Sequence, residues 1–256
     1  MTERVDSAAP SEDASLSDEA ETCFVAFCDI LGFSDMVVSD FARTLRIYKR
    51  FGDLMADSPF SVSDVKVTMY SDSILIVGKT LETVLGAVQG LWFFALGSDF
   101  MIRGAITKGH YWERRQGNDM LVVSDALVRA VKLEKVVSVP AVVLADDIEI
   151  PDGLWLKQFT GNGNGIVATS LLHFRDRNIV NPFNSFWLLS AGNRATILME
   201  MSPSHRDKYL WFLALHEAVT ERRTLVPPAV FARLVRDGVI GWFPKPPSAE
   251  KQIDQA

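Results

Sequence analysis

The sequence predicts an α+β protein: a ferredoxin-like domain with an antiparallel-rich sheet, helices on one face, an extra hairpin and a C-terminal extension. Three observations predict it. The stretch Val65 to Val77, VKVTMYSDSILIV, sets two runs of strand-forming residues around a tight Tyr-Ser-Asp-Ser break, the pattern of a β-hairpin with Asp72 at its tip. Upstream, CFVAFCDILGF is a hydrophobic strand that ends at Asp29, just before a Gly-containing turn. Helical periodicity fills the stretches between, so the order is strand, helix, two strands, helix, strand.

Each element has its own local reason. In the first strand, alternation puts Cys23, Val25, Phe27 and Asp29 on one face. Ser34 to Ala56 carries Met36, Val37, Phe41, Leu45, Tyr48, Phe51 and Leu54 at helical spacing and stops at the Asp57-Ser58-Pro59 breaker. After the hairpin, Thr80-Leu81-Glu82 opens a strongly apolar helix that runs to about Leu96. MIRGAITKGHYW is a strand, and the Arg-Arg-Gln-Gly-Asn-Asp break before MLVV marks a second long hairpin. Ser124 or Asp125 caps the helix ALVRAVKLEKV, and Pro140-Ala-Val-Val-Leu is a short strand. Beyond Ala145 the pattern weakens: residues 161–165 are a glycine-rich loop, Tyr209–Arg223 is a helix, and Pro227-Pro228 starts a last one from Ala229 to Arg236. The expected organisation is a disordered acidic tail over 1–21, a main domain over 22–145, and a mixed strand and helix extension over 146–256 packed on it.

Composition narrows the function classes. Hydrophobic residues make up 48% and charged residues 23%, ordinary for a globular chain with a full core. The net charge of −6 sits in residues 1–21, where seven acids face Arg4 alone. The remainder is neutral, which argues against a dedicated nucleic-acid binder. No apolar run reaches bilayer-spanning length, so no membrane span is expected. Cys23 and Cys28 lie on opposite faces of one strand and cannot bridge each other, and with no export signal in the tail the chain reads as cytoplasmic.

Asp29 and Asp72 are the chemical signal. If the two strands are neighbours, two carboxylates meet at one sheet edge with nothing cationic adjacent in sequence. Like charges held together are costly unless a proton or a metal sits between them. A divalent metal site for phosphate chemistry is the inference; a helix N-cap for Asp29 and a turn residue for Asp72 are the plain alternatives. His110, His173, His205 and His216 show no metal-ligand spacing. Residues 161–165 are no phosphate loop, because no Lys-Ser/Thr and no helix start follow.

The residues also resemble a family. FCDILGFS resembles the first metal motif of class III nucleotidyl cyclases, commonly F-x-D-[IV]-x-G-F-[ST]; YSDSI is similar to their second metal hairpin; and IRGAITKG resembles their R-x-G-[IV]-x-x-G strand, with Gly104-Ala105 transposing the small residues. The resemblance covers roughly residues 22–145, which it marks as a cyclase catalytic domain. It implies two Mn²⁺ or Mg²⁺ ions on Asp29 and Asp72, with the Ile30 backbone carbonyl as a third ligand. It places Lys66 at a base-contacting position, against a solvated strand residue. Arg114 and Arg115 fall near a phosphate-binding Arg donated by the opposite subunit of a homodimer, against a solvent-facing hairpin tip. Arg103 either holds the triphosphate or braces its strand, and Phe33 either stacks on the base or packs under the turn. Lys132 falls at the transition-state Arg, Val128 at the transition-state Asn and Leu121 at the base-reading Asp of purine cyclases.

With the purine-reading acid absent, the pattern SDSI, RGAI and a Leu-Glu helix end before a Val-Pro strand looks like the Pycsar pyrimidine cyclases of bacterial antiphage defence. That resemblance implies a homodimer making 3′,5′-cyclic UMP from UTP, and acting through a separate effector protein that the cyclic nucleotide activates. A cytidylate cyclase, a purine cyclase and an inactive nucleotide-binding relative are the alternatives, in that order.

Overall fold

The first strand, β1 (Glu21–Ile30), is an interior strand of the sheet, with buried apolar residues on both of its faces. Ala26, Cys28 and Ile30 belong to the main core, while Cys23 and Val25 belong to a second, smaller cluster on the other face. The two cysteines therefore point apart, and both are free thiols. The computed structural model describes residues 20–56, 64–117, 119–160, 165–184, 186–201 and 203–241. The tail expected over 1–21 lies outside these up to residue 19, and its end is corrected, because Glu21 opens β1 and pairs with Tyr111. The glycine-rich loop over 161–164 also lies outside the described residues.

After β1 the chain makes two helices, α1 (Phe33–Ser39) and α2 (Phe41–Ala56), where the periodicity predicts one. Asp40 is the break. Its φ of −151° leaves the helical region, and its Oδ1 accepts from the Arg43 N–H at 2.9 Å, so it ends one helix and caps the next. The hairpin follows as β2 (Val65–Tyr70) and β3 (Ser73–Gly78), and Ser71 takes a left-handed φ of 57° to close the turn. Then comes α3 (Leu81–Gly97), capped by Thr80 Oγ1, which accepts from the Thr83 N–H.

A long strand, β4 (Ile102–Gln116), turns into β5 (Asp119–Ser124), and the helix α4 (Asp125–Val136) begins where Ser124 Oγ accepts from the Leu127 N–H at 3.0 Å. Gly104 permits the tight β1–β4 pairing, since a Cβ there would stand 2.5 Å from the Phe27 carbonyl oxygen. The small residue is needed at that position, ahead of Ala105. The short strand β6 (Val142–Leu144) pairs parallel with β4.

The later chain adds α5 (Asp152–Leu156), α6 (Gly165–Ala168), β7 (Leu171–Phe174), β8 (Arg177–Val180), α7 (Leu188–Met201), α8 (Arg206–Thr220) and α9 (Pro228–Arg236). The hairpin β7–β8 and the helix α7 have no counterpart in the sequence expectation. Strand β8 pairs antiparallel with β6, so the sheet runs β2-β3-β1-β4-β6-β8-β7, with β5 paired on β4 alone. The first four strands stand in ferredoxin-like order, and the α+β class holds.

The helices divide between the two faces. Helix α3 lies on the main core, and its far side is covered by the later helices, with Trp92 stacked on Phe212 at 5.9 Å between ring centroids. The expectation of helices on one face is refined by α4, which packs on the other. Its small residues Ala126 and Ala130 allow the close approach, and Thr107 Oγ1 on β4 donates to the Ala126 carbonyl at 2.7 Å. None of the described helices is long and apolar enough to cross a membrane.

Candidate active site on the open face of the sheet

The face that α4 only partly covers carries every second residue of four strands. Register sets Asp29 opposite Ser73 on one side and Arg103 on the other. The neighbouring pairs Phe27 with Leu75 and Thr68 with Leu75 lie on the same face, and all three side chains are half-buried rather than covered. The result is a shallow floor ending at the carboxylates.

The turn of the hairpin is tied to the end of β1. The Ile30 N–H donates to the Asp72 carbonyl at 3.1 Å, which brings residue 72 beside Asp29. The two carboxylates feel each other. Burial and then the Asp72 charge push the Asp29 carboxyl up to about 6, against the opposing pull of Arg103. Burial and Asp72 also raise the Tyr48 hydroxyl, so α2 reaches the same end of the sheet.

A cation does neutralise Asp29, and it comes from the neighbouring strand rather than from adjacent sequence. Arg103 Nε donates to Asp29 Oδ2 at 3.1 Å and stands 2.8 Å from Glu134 Oε1 on α4. The expectation of an un-neutralised pair is corrected here: cross-strand register supplied what sequence adjacency did not. Among the two functions offered for Arg103, the contacts describe a brace between β1 and α4.

Lys66 stands on β2 in the same face, and its Nζ donates to Glu113 Oε1 at 3.0 Å. Glu113 also accepts from the Tyr111 hydroxyl at 2.8 Å and has Arg115 Nε at 3.6 Å. Burial works to raise the Glu113 carboxyl, but the hydrogen bonds from Lys66 and Tyr111 and the charges of Lys66 and Arg115 together hold it below its usual range. This cluster folds the β4–β5 arm towards β2. Arg114 points to the other side of the arm, its guanidinium 5.9 Å from the centroid of the Trp112 ring.

Three further positions face solvent. Ala126, Ala130 and Glu134 form the inward stripe of α4, which leaves Val128 and Lys132 on the outer side, both exposed. Leu121, opposite Arg114 on the arm, is 48% exposed. Phe33 is half-buried and meets Tyr48 at 5.7 Å between ring centroids. With Ile30, Met36, Thr44, Ile47 and Phe100 they line a cavity of about 10 Å³, far too small for a nucleobase. In this conformation Phe33 packs under the turn.

The donor set suits a hard divalent cation. Asp29 carries oxygen donors at the end of β1 and Asp72 on the turn tied to it, the Ile30 carbonyl belongs to the same chain end, and the Asp29 carboxylate is destabilised in a way that added positive charge relieves. Among the described residues no group of three or more His, Cys, Asp or Glu side chains gathers at metal-ligating distance, so protein carboxylates alone would give an incomplete shell. Such a shell leaves room for water or substrate phosphates, the usual Mg²⁺ arrangement.

Two of the histidines make structural contacts. His216 Nε2 lies 2.6 Å from the Leu188 carbonyl, and His173 Nδ1 lies 2.9 Å from Asn178 Oδ1. Glu113 escaped the sequence reading, and Glu134 entered it only as part of the Leu-Glu helix end, with no role in the site. For Glu134 a signal existed: it follows Ala126 and Ala130 at four-residue steps, a charged side chain on an otherwise small, apolar stripe.

No protein-family model matches this chain, and no curated protein matches it. Among solved structures it is similar to the guanylyl cyclase Cya2, at 11% identity and a TM-score of 0.39, over 49% of this chain and 75% of that one. It is likewise similar to the adenylyl cyclase CyaB from P. aeruginosa, at 13% identity and a TM-score of 0.41, over 50% of this chain and 78% of that one. A class III adenylyl cyclase-like ATP-binding protein from Pseudomonas aeruginosa overlaps 50% of this chain and 34% of its own length, at 10% identity and a TM-score of 0.35. Each superposition is loose and partial, so what this site can do follows from its own geometry.

Proposed function

We propose that this chain is a pyrimidine nucleotide cyclase, which converts UTP to 3′,5′-cyclic UMP and pyrophosphate at a two-ion site on Asp29 and Asp72. One observation carries the reading: at the open end of the sheet the turn that bears Asp72 is tied to the end of β1, and burial, with the Asp72 charge added, lifts the Asp29 carboxyl to about 6. A fold keeps so costly a pair where function needs it.

In the reaction the ribose 3′-oxygen bonds to the α-phosphorus, the bond from that phosphorus to the bridging oxygen breaks, and pyrophosphate leaves as the hydroxyl proton passes to water. Two Mn²⁺ or Mg²⁺ ions, when bound, lower the pKa of the hydroxyl and neutralise charge on the leaving group. The chain's own part is positioning. Asp29, Asp72 and the Ile30 carbonyl would hold the ions, Arg103 steadies the Asp29 carboxylate until an ion arrives, and the floor of Phe27, Thr68 and Leu75 would shield one side of the sugar from water.

The outward placement of Val128, Lys132, Leu121 and Arg114 supports a homodimer with composite sites. These groups face solvent, and in a two-fold pair they would serve the partner's site. Lys132 and Arg114 or Arg115 would then meet the phosphates, and Leu121 the base. With Leu121 there is no acceptor for the exocyclic amine of adenine or the ring N–H of guanine, and each buried polar group left unpaired costs about 1–3 kcal/mol. Lys66, held by Glu113, is a donor for the smaller edge of a pyrimidine. CTP is the second substrate, since its N4 amine differs from the O4 of UTP by one donor-for-acceptor exchange. The product would be a cytoplasmic second messenger for antiphage defence, read by a separate effector protein.

Catalytic efficiencies for the four ribonucleoside triphosphates with Mn²⁺ test the reading. UTP should exceed ATP and GTP by at least about tenfold, a difference of about 1.4 kcal/mol in transition-state binding. Equal or better use of a purine would sink the pyrimidine assignment, and CTP ahead of UTP would move it to cytidylate.

A further inference from the structure

Arg103 has one Nε–H and two carboxylates competing for it. The hydrogen points at Asp29 Oδ2, 3.1 Å away, with acceptable geometry. Glu134 Oε1 is closer, at 2.8 Å, but off the N–H axis, and it is a buried oxygen with no hydrogen-bond partner among the described residues. A buried carboxylate oxygen without a donor is expensive to maintain. The Glu134 side chain is only 6% exposed, so water offers little relief. Nor is the position an accident of a loose side chain: Glu134 stands on α4, which the Thr107 hydroxyl, the Ser124 hydroxyl on the His110 carbonyl and the Asp125 carboxylate on the His110 N–H fasten to β4.

The charges make the same point. Asp29 and Glu134 share one guanidinium, and the bond from the Ile30 N–H to the Asp72 carbonyl sets a third acid, Asp72, next to Asp29. When all are ionised the cluster carries two negative charges in excess of its cation, which is the charge of one divalent ion. An ion arriving on Asp29 competes with Arg103 for the same oxygen. The displaced guanidinium would need another anion within reach, and one is waiting.

We propose that Arg103 has two positions, on Asp29 while the site is empty of cation and on Glu134 once a divalent ion has taken Asp29, and that Glu134 is the positioning residue that draws it away. This rests on the metal reading of Asp29 and Asp72 given above, and extends it to a residue that touches neither ion nor nucleotide. Glu134 thereby lowers the cost of freeing Asp29. Without it, the ion must break the Arg103–Asp29 pair and leave a half-buried guanidinium with no counter-charge.

The test is a double-mutant cycle on Mn²⁺ affinity, read from the free-ion signal in electron paramagnetic resonance with the full chain and no nucleotide. Glu134→Gln should weaken Mn²⁺ binding about tenfold, the scale expected for a partner that orients a ligand. In an Arg103→Met background, with no guanidinium to relocate, Glu134→Gln should change affinity less than about twofold. An equal loss in both backgrounds would mean that Glu134 acts only through its own charge, and the two-position account would be wrong. No loss in either background would overturn it as well. Asp72→Asn separates this failure from that of the underlying site. If wild type binds Mn²⁺ and Asp72→Asn weakens it while Glu134→Gln does not, only the role of Glu134 fails; if wild type binds none, the metal reading fails and takes this inference with it. Thermal melts of each variant without metal confirm that folded protein is being compared, and Glu134→Asp, which keeps the charge on a shorter stem, should recover part of the affinity that Glu134→Gln loses.

Discussion

The two faces of this sheet are built from the same strands and do opposite things. On one, Ala26, Cys28, Ile74, Ile76 and Ile102 meet the buried side of α3, and Trp92 and Phe212 close the layer behind it with almost no exposure. On the other, alternate residues of the same strands present Asp29, Arg103, Lys66 and Thr68, with α4 covering one flank only. The period of two along a strand makes this possible: adjacent residues such as Cys28 and Asp29 belong to different environments. Stability is drawn from the first face, and the second spends some of it. Burial lifts Asp29 and leaves Glu134 Oε1 without an aligned donor, features a purely structural surface would avoid.

Substitutions should therefore separate cleanly by face. The largest effect belongs to Asp72→Ala, which should lower cyclic nucleotide formation at least about a hundredfold, several kcal/mol of transition-state stabilisation, with an unchanged melting temperature. Substantial residual turnover, measured by product chromatography, would remove Asp72 from the two-ion site. Trp92→Ala is its mirror image. Deleting a fully buried indole should cost about 3–5 kcal/mol in denaturant titrations, while the turnover number of the protein still folded at low temperature stays close to wild type. A large fall in that number would show that the two faces are coupled.

Mixing variants probes whether the open face is half of a site. Asp72→Ala and Arg115→Ala subunits, each inactive alone, should regain about a quarter of wild-type activity when combined in equal amounts, since half the dimers are mixed and each restores one of two sites. A mixture as inactive as its parents would contradict the composite site.

The smallest effect concerns the strain on Asp29. A carboxyl raised from 3.8 to about 6 in the folded protein holds more proton there than in the unfolded chain. Stability should thus fall as pH rises from about 4 to about 6, and the deficit should be fully present above that window. Asp29→Asn removes it, so in metal-free buffer the variant should gain about 1–2 kcal/mol at pH 7–8 and nothing near pH 4. Denaturation curves across that range decide the matter, and a variant less stable at neutral pH would contradict the strain.

Much of this was legible in the chain. The hairpin around Asp72 announced itself through two strand-forming runs and a polar turn, and Ser124 and Thr80 cap helices as their type and place suggest. What escaped has a physical reason in each case. Asp40 reads as one polar residue on a helix surface until its carboxylate is seen to accept from the Arg43 N–H. The Arg103–Asp29 pair depends on strand register across a long connection, which local periodicity does not encode. The hairpin β7–β8 is short, and its strands are shaped by pairing with β6 rather than by their own composition.

The most direct measurement is a product analysis with each of the four nucleoside triphosphates, Mn²⁺ and the intact protein, in which pyrophosphate and nucleotide product are both quantified and the nucleotide is identified by mass and by its 3′,5′ linkage. The account predicts a cyclic monophosphate and pyrophosphate in equal amounts, with UTP used best and with formation abolished by chelator. Release of inorganic phosphate in place of pyrophosphate, or no turnover with any of the four, would contradict it.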